Sequence, residues 1–242
     1  MRICLAQIKP IKGNISANID LHKRFIDIAL TYNVDAIFFP ELSLTSYEPK
    51  LAHELASNHT DKRLDIFQQI SNNSKIIIGL GLPTLVDSKI RISMIIFEPN
   101  KQIQTYSKQQ LHSDELPYFE NGVGQVLINV NNTSIAPAIC YESLQEEHAE
   151  IAFKLGANIY LASVAKSEKG CVKAFDYFPK LAKKYSIPVL MTNCVGFCDD
   201  FLAVGKSAIW TKDGNLVGQL DSENEGILIF DTENEEVIMQ KI

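Results

Sequence analysis

Three residues have types and settings suited to nucleophilic catalysis: Cys140, Glu41 and Lys108. Cys140 ends the apolar run SIAPAIC and is followed by Tyr141-Glu142-Ser143 and then a helical pattern. A nucleophile at such a strand-to-helix turn is exposed, and backbone N–H groups point into the space above it. The helix start is also expected to depress the thiol pKa. Glu41 follows Phe38-Phe39-Pro40, so its carboxylate lies beside hydrophobic walls, where desolvation raises a pKa toward general-base range. Lys108 follows Thr105-Tyr106-Ser107 and places a fixed positive charge where a carbonyl oxygen would become negative. Each also has an ordinary reading when taken alone: a buried structural thiol, a solvated strand-end acid, a surface lysine. The three together are far more specific than any one.

The elements that must position these residues alternate as in an α/β fold. Residues 2–8 read as a strand, and Asn14 as the cap of a helix with Ile15, Ile19, Phe25, Ile26 and Ala29 near helical spacing. Residues 35–39 form a buried strand stopped by Pro40, residues 60–71 a second helix, and residues 75–82 a third strand. Two hairpins follow, 91–97 with 102–106 turning at Pro99-Asn100, and 124–130 with 133–138 turning at Asn131-Asn132. Helix and strand then resume through 144–154, 158–162, 171–185 and 188–193, before a final hairpin at Asp213-Gly214 and the run GILIFD. No internal repeat or linker is visible, which predicts a single domain over 1–242. Two sheets packed face to face with helices outside suit this order, and so does one mixed sheet.

The segments FFPELSLTSY, YSKQQLHSDELPYFENG and APAICYES occur in the order and at the spacings of the nitrilase superfamily, the carbon–nitrogen hydrolases, which this chain resembles. The likeness continues through AQIKPIKGNISANI, GANIYLAS, VLMTNCVG and SAIWTKDGNLVGQL and so spans nearly the whole sequence. It implies an α/β fold, a four-layer α–β–β–α sandwich of two mixed sheets with helices outside. It also implies a Glu-Lys-Cys triad: Glu41 as general base, Lys108 on the oxyanion side, Cys140 as nucleophile. A second glutamate is expected after the lysine, and Glu115 fits its place, with Glu120 as the rival. The backbone N–H of Tyr141 is the expected second oxyanion donor. The implied reaction is hydrolysis of a small amide or N-carbamoyl compound through a thioester, with no metal and no organic cofactor. Nitrile hydrolysis and acyl transfer use the same triad, and a catalytically silent binding protein is the reading from another class. Relatives commonly pair through a helical face, so a homo-oligomer is expected.

This chain departs from many relatives after the nucleophile, where it has Tyr141-Glu142-Ser143-Leu144-Gln145 and no proline. Tyr47, Glu142 and Ser163 are the expected substrate contacts, with Ala165 nearby, while Asn193 reads as a turn cap. His22, His53, His59, His112 and His148 show no metal-ligand spacing, and Cys194 and Cys198 read as ordinary loop thiols. A net charge of −6 without a basic cluster argues against nucleic acid, and no apolar run is long enough for a membrane span. MRICLAQI lacks the pattern of a signal peptide, so a cytoplasmic protein is expected, its five cysteines held as thiols.

Overall fold

The structure is a computed structural model that describes every residue except His59 and Asn131. Its strands are β1 Arg2–Gln7, β2 Ala36–Phe38, β3 Ile77–Val86, β4 Lys89–Phe97 and β5 Gln104–Ser107 in the first half of the chain. The second half adds β6 Ile128–Val130, β7 Thr133–Ile139, β8 Ile159–Val164, β9 Val189–Asn193, β10 Val195–Cys198 and β11 Phe201–Val204. It ends with β12 Ala208–Trp210, β13 Leu216–Gln219, β14 Gly226–Asp231 and β15 Val237–Lys241. The helices are α1 Ile15–Leu30, the single turn α2 Ala52–Leu55, α3 Asp65–Ser74, α4 Glu146–Lys154 and α5 Glu168–Tyr185.

Seven strands form one mixed sheet in the order β15-β14-β1-β2-β3-β4-β5, and six form a second in the order β13-β12-β9-β8-β7-β6. Period-two alternation explains why the two sheets stack. In β1, Ile3 and Leu5 face the second sheet and join Phe38, Met94, Ile139, Leu161, Leu190 and Phe230 in the central core. Cys4 and Ala6 point the other way, where Phe25 and Ile26 of α1 and Phe67 of α3 cover them. On the far side Tyr160 and Met191 meet Ala149 of α4 and Phe178 of α5, with Trp210 packed against Phe178. The layers are therefore helix, sheet, sheet, helix, as the resemblance implied. Two buried hydroxyls tie the sheets together: Ser163 Oγ donates to the Phe39 carbonyl at 2.8 Å, and Thr192 Oγ1 to the Ala6 carbonyl at 2.8 Å.

Most expected elements are present with shifted ends. The Asn14 side chain accepts from Ala17 N at 3.1 Å and caps α1. The helix expected over 60–71 is a 3-10 turn at Lys62–Leu64 running into α3. The third strand continues to Val86 and turns straight into β4 through Asp87 and Ser88, both with positive φ. The turn expected at Asn131-Asn132 falls partly outside the described residues, although β6 and β7 do pair. Among the described residues no helix is long and apolar enough to cross a membrane.

Candidate active site

Glu41, Lys108 and Cys140 each stand just beyond a strand end, from β2, β5 and β7 respectively. Glu41 opens a tight turn held by backbone bonds from Leu44 N to Gly81 O at 3.0 Å and from Phe39 N to Gly79 O at 2.9 Å. Ser43 Oγ accepts from Gly81 N at 3.0 Å and meets His22 Nε2 at 2.9 Å. Gly81 is required there, because a Cβ would come within 2.2 Å of Leu42 N. Lys108 is fixed through its backbone, donating to Ile92 O at 2.8 Å and accepting from Gly122 N at 2.7 Å.

The lysine ammonium is fully buried between two acids. Lys108 Nζ lies 2.7 Å from Glu41 Oε1 and 2.6 Å from Glu115 Oε1. Tyr47 OH donates to Glu115 Oε1 at 3.0 Å, and His112 N to Glu115 Oε2 at 2.7 Å. Of the two candidates for the second glutamate, Glu115 is the one in contact with Lys108, whereas Glu120 is half exposed and pairs with Lys89 at the surface. Burial opposes the charge on Lys108, but the two carboxylates outweigh it and hold its pKa above the ordinary lysine value. Burial likewise raises Glu41, with Lys108 pulling it down and Glu115 pushing it up. Its Oε2 is buried and, among the described residues, has no hydrogen-bond partner. That is the oxygen free to take a proton.

Cys140 begins a 3-10 turn, Cys140–Leu144, with a φ of 48°. The left-handed backbone turns the chain sharply at this cysteine, a strained conformation of the kind that clusters at active sites. Tyr141 is the second residue of this turn, where the N–H has no partner within the helix. The thiol itself corrects one expectation. Burial and the nearby Glu41 push it up to about 11, while Lys166 and Lys108 pull the other way. The short turn does not outweigh desolvation, so deprotonation of Cys140 depends on the charged groups around it.

Cys140, Lys108, Glu115 and Tyr47 share one cavity of about 350 Å³ with Tyr141, Gln145, Ala165, Lys166 and Phe201. Larger clefts beside Gly13 and beside Asn58 are lined by no cysteine. Glu142 and Ser163 are not among the residues lining the catalytic cavity, contrary to expectation. Glu142 is buried behind the turn, accepting from Tyr106 OH at 2.6 Å, Ile139 N at 2.7 Å and Gln109 N at 2.5 Å. Ser163 ties the sheets together as described. Asn193 does not cap a turn: its side chain accepts from Lys166 N at 2.8 Å and donates to Lys166 O at 3.1 Å and Gly205 O at 2.7 Å. Cys194 and Cys198 are buried around β10, their sulfurs 3.6 Å apart. Of the histidines considered as metal ligands, His59 lies outside the described residues, and His148 and His22 are buried within the fold.

The sequence reading missed Lys166 and Gln145. Lys166 follows the C-terminal end of β8, which is parallel to β7, so it leaves the sheet at the same edge as Cys140. That shared edge was a usable signal, since ligands of parallel sheets gather beyond the carboxyl ends of strands.

The fold matches the NitN amidase of Nesterenkonia sp. AN1 with a TM-score of 0.87, at 20% identity, over 97% of this chain and 93% of that one. In one structure of that amidase, acrylamide is attached to the active-site cysteine. The chain is 22% identical to a glutamine-dependent NAD(+) synthetase of Thermotoga maritima over 98% of its own length. It is 23% identical to a hydrolase in the agr operon of Staphylococcus aureus, over all of this chain and 94% of that protein. The chain spans less than half the length of the synthetases it matches, 42% in Thermotoga maritima and 46% in Acinetobacter baylyi. Residues 2–239 match the model of the carbon–nitrogen hydrolase family, and the chain belongs to that family.

Proposed function

We propose that the protein hydrolyses the carbon–nitrogen bond of a small amide or N-carbamoyl compound through a thioester on Cys140. The observation carrying this reading is Lys108 Nζ held between Glu41 and Glu115 in the cavity that also contains Cys140. Glu41 Oε2 takes the thiol proton, and the sulfur attacks the carbonyl carbon. Lys108 Nζ and Tyr141 N–H receive the developing oxyanion. Glu41 then returns its proton to the leaving nitrogen, which departs as ammonia or an amine and leaves the acyl group on sulfur. Water gives a proton to Glu41 and attacks the thioester, releasing the acid and restoring the thiol. Glu115 and Tyr47 hold Lys108 in place through this sequence. A cavity of about 350 Å³ sits at the small end of ligand pockets, which supports a small substrate.

The test is ammonia release from a panel of small amides, N-carbamoyl compounds and nitriles by wild type and Cys140→Ala. Release from a subset by wild type alone is expected; full activity in the variant would end the triad reading. A helical face also supports the proposal of a homo-oligomer, since Ile151 of α4 and Leu155, four residues on and so on the same side, are both exposed.

A further inference from the structure

Among the described residues Lys108 and Lys166 are the buried lysines, and only Lys108 is paired with carboxylates. Lys166 Nζ instead lies 3.7 Å from Cys140 Sγ and 3.5 Å from the Cys140 carbonyl oxygen. An unpaired ammonium is costly to bury, so its position calls for an anion that forms there. The residue is also held firmly. Asn193 clamps its backbone on both sides, Val204 N donates to its carbonyl at 3.1 Å, and Gly170 packs on its stem where a Cβ would come within 3.2 Å.

We infer that Lys166 is a fourth catalytic residue, the counter-ion of the Cys140 thiolate. This rests on the reading of Cys140 as nucleophile. The charged and titratable groups around the sulfur are Glu41, Lys108, Glu115 and Tyr47, with Lys166 on the β8 side, Lys173 of α5 and Tyr141 on the cavity wall, and His112 and Asp114 at its mouth. Glu41 and Glu115 carry two negative charges, and Lys108 and Lys166 two positive ones. Moving the proton from Sγ to Glu41 Oε2 leaves that total unchanged, but it moves a negative charge from the Lys108 side to the Lys166 side. Lys108 is already engaged by two acids, so Lys166 is the cation available to the sulfur. Among the groups pulling the thiol pKa down, Lys166 comes ahead of Lys108.

The test is the pH dependence of Cys140 alkylation by iodoacetamide, followed on the Cys140 peptide by mass spectrometry, in wild type, Lys166→Met and Lys166→Arg. The other four cysteines are buried, and reading the Cys140 peptide separates its alkylation from theirs. In Lys166→Met the profile should move up by about one pH unit, with alkylation near neutrality about tenfold slower, because the thiolate is the reactive form. Lys166→Arg should hold the wild-type profile. Should Lys166→Met fail to fold, Lys166→Gln takes its place with the same expectation. A reactive Cys140 with the same profile in wild type and variant overturns the inference and leaves the amidase reading standing. So does an unchanged profile combined with lost turnover only on carboxylate-bearing amides, which would make Lys166 a substrate contact. Alkylation needs no substrate, so a panel that yields no ammonia does not affect this result.

Discussion

Two buried acidic clusters lie on either side of Cys140, and they are built differently. In front of it, Glu41 and Glu115 share Lys108, and Glu41 keeps one buried oxygen without a hydrogen bond. Behind it, Glu142 accepts from Tyr106 OH and from the backbone N–H of Ile139, Gln109 and Gln110. His148 and Tyr160 extend that rear cluster through further hydrogen bonds. A carboxylate with every lone pair engaged is a structural brace, joining the end of β7 to the segment after Lys108. A buried carboxylate with one free oxygen is a site where a proton can be taken up at low cost in rearrangement. The difference between brace and base lies in hydrogen-bond satisfaction, since burial is the same in both.

Exchanging each acid for its amide breaks the comparison most directly. Glu41→Gln removes the proton acceptor and keeps the shape. Turnover should fall by about 10²–10⁴-fold, the usual range for a lost general base, measured as ammonia release on whichever substrate the panel yields. Burial raises the Glu41 pKa, so its ionised form costs stability in the fold, and the amide avoids that cost. The melting temperature of Glu41→Gln should therefore match or exceed that of wild type. A fall in both turnover and stability would mean that Glu41 is a brace as well as a base.

This division was only half legible in the sequence. That Glu41, Lys108 and Cys140 come together was readable because each follows a strand-like run within a distinct segment, so three independent patterns agreed. Glu142 and Ser163 do not line the cavity, because proximity to Cys140 in sequence does not tell which way a side chain leaves a 3-10 turn or a buried strand. The φ of 48° at Cys140 sends the chain around so that Glu142 reaches back to Ile139 N, and no periodicity announces that. Lys166 was missed because lysines are usually solvated, and only the parallel pairing of β7 and β8 brings it to the sulfur. Cys194 and Cys198 read as loop thiols because β10 and β11 have four residues each, too few for alternation to stand out. The layers were legible, since alternation in β1 and helical spacing in α1 both specify a buried face.

The opposite substitution, Glu142→Gln, should act mainly on stability. Whichever way the amide is placed, its NH2 faces N–H donors that had a carboxylate oxygen, at a cost of about 1–3 kcal/mol. The effect should also depend on pH. Burial raises Glu142 from 4.5 up to about 7, ahead of the hydrogen bonds that lower it. Folded wild type therefore binds this proton more tightly than the unfolded chain does, and its stability falls as pH rises through that window. The amide has no such proton. Urea titrations should show the largest gap between wild type and Glu142→Gln near pH 5 and a narrower one near pH 8. A gap that widens with pH would mean that Glu142 stays ionised and is stabilised by its four donors.

Ser163→Ala should give the smallest change of the series. The hydroxyl is buried, donates to the Phe39 carbonyl at 2.8 Å, and lies behind the catalytic cavity. Removing it deletes one inter-sheet hydrogen bond and leaves the buried Phe39 oxygen without that donor, a loss of about 1 kcal/mol in a urea titration, the low end for an unsatisfied buried acceptor. Phe39 stands two residues before Glu41 and keeps its own N–H bond to Gly79 O, so the turn carrying the base stays anchored. Turnover per folded molecule, and the KM for the substrate found in the panel, should then equal those of wild type. A raised KM at unchanged stability would instead put Ser163 against the substrate and move the cavity wall one strand deeper into the sandwich.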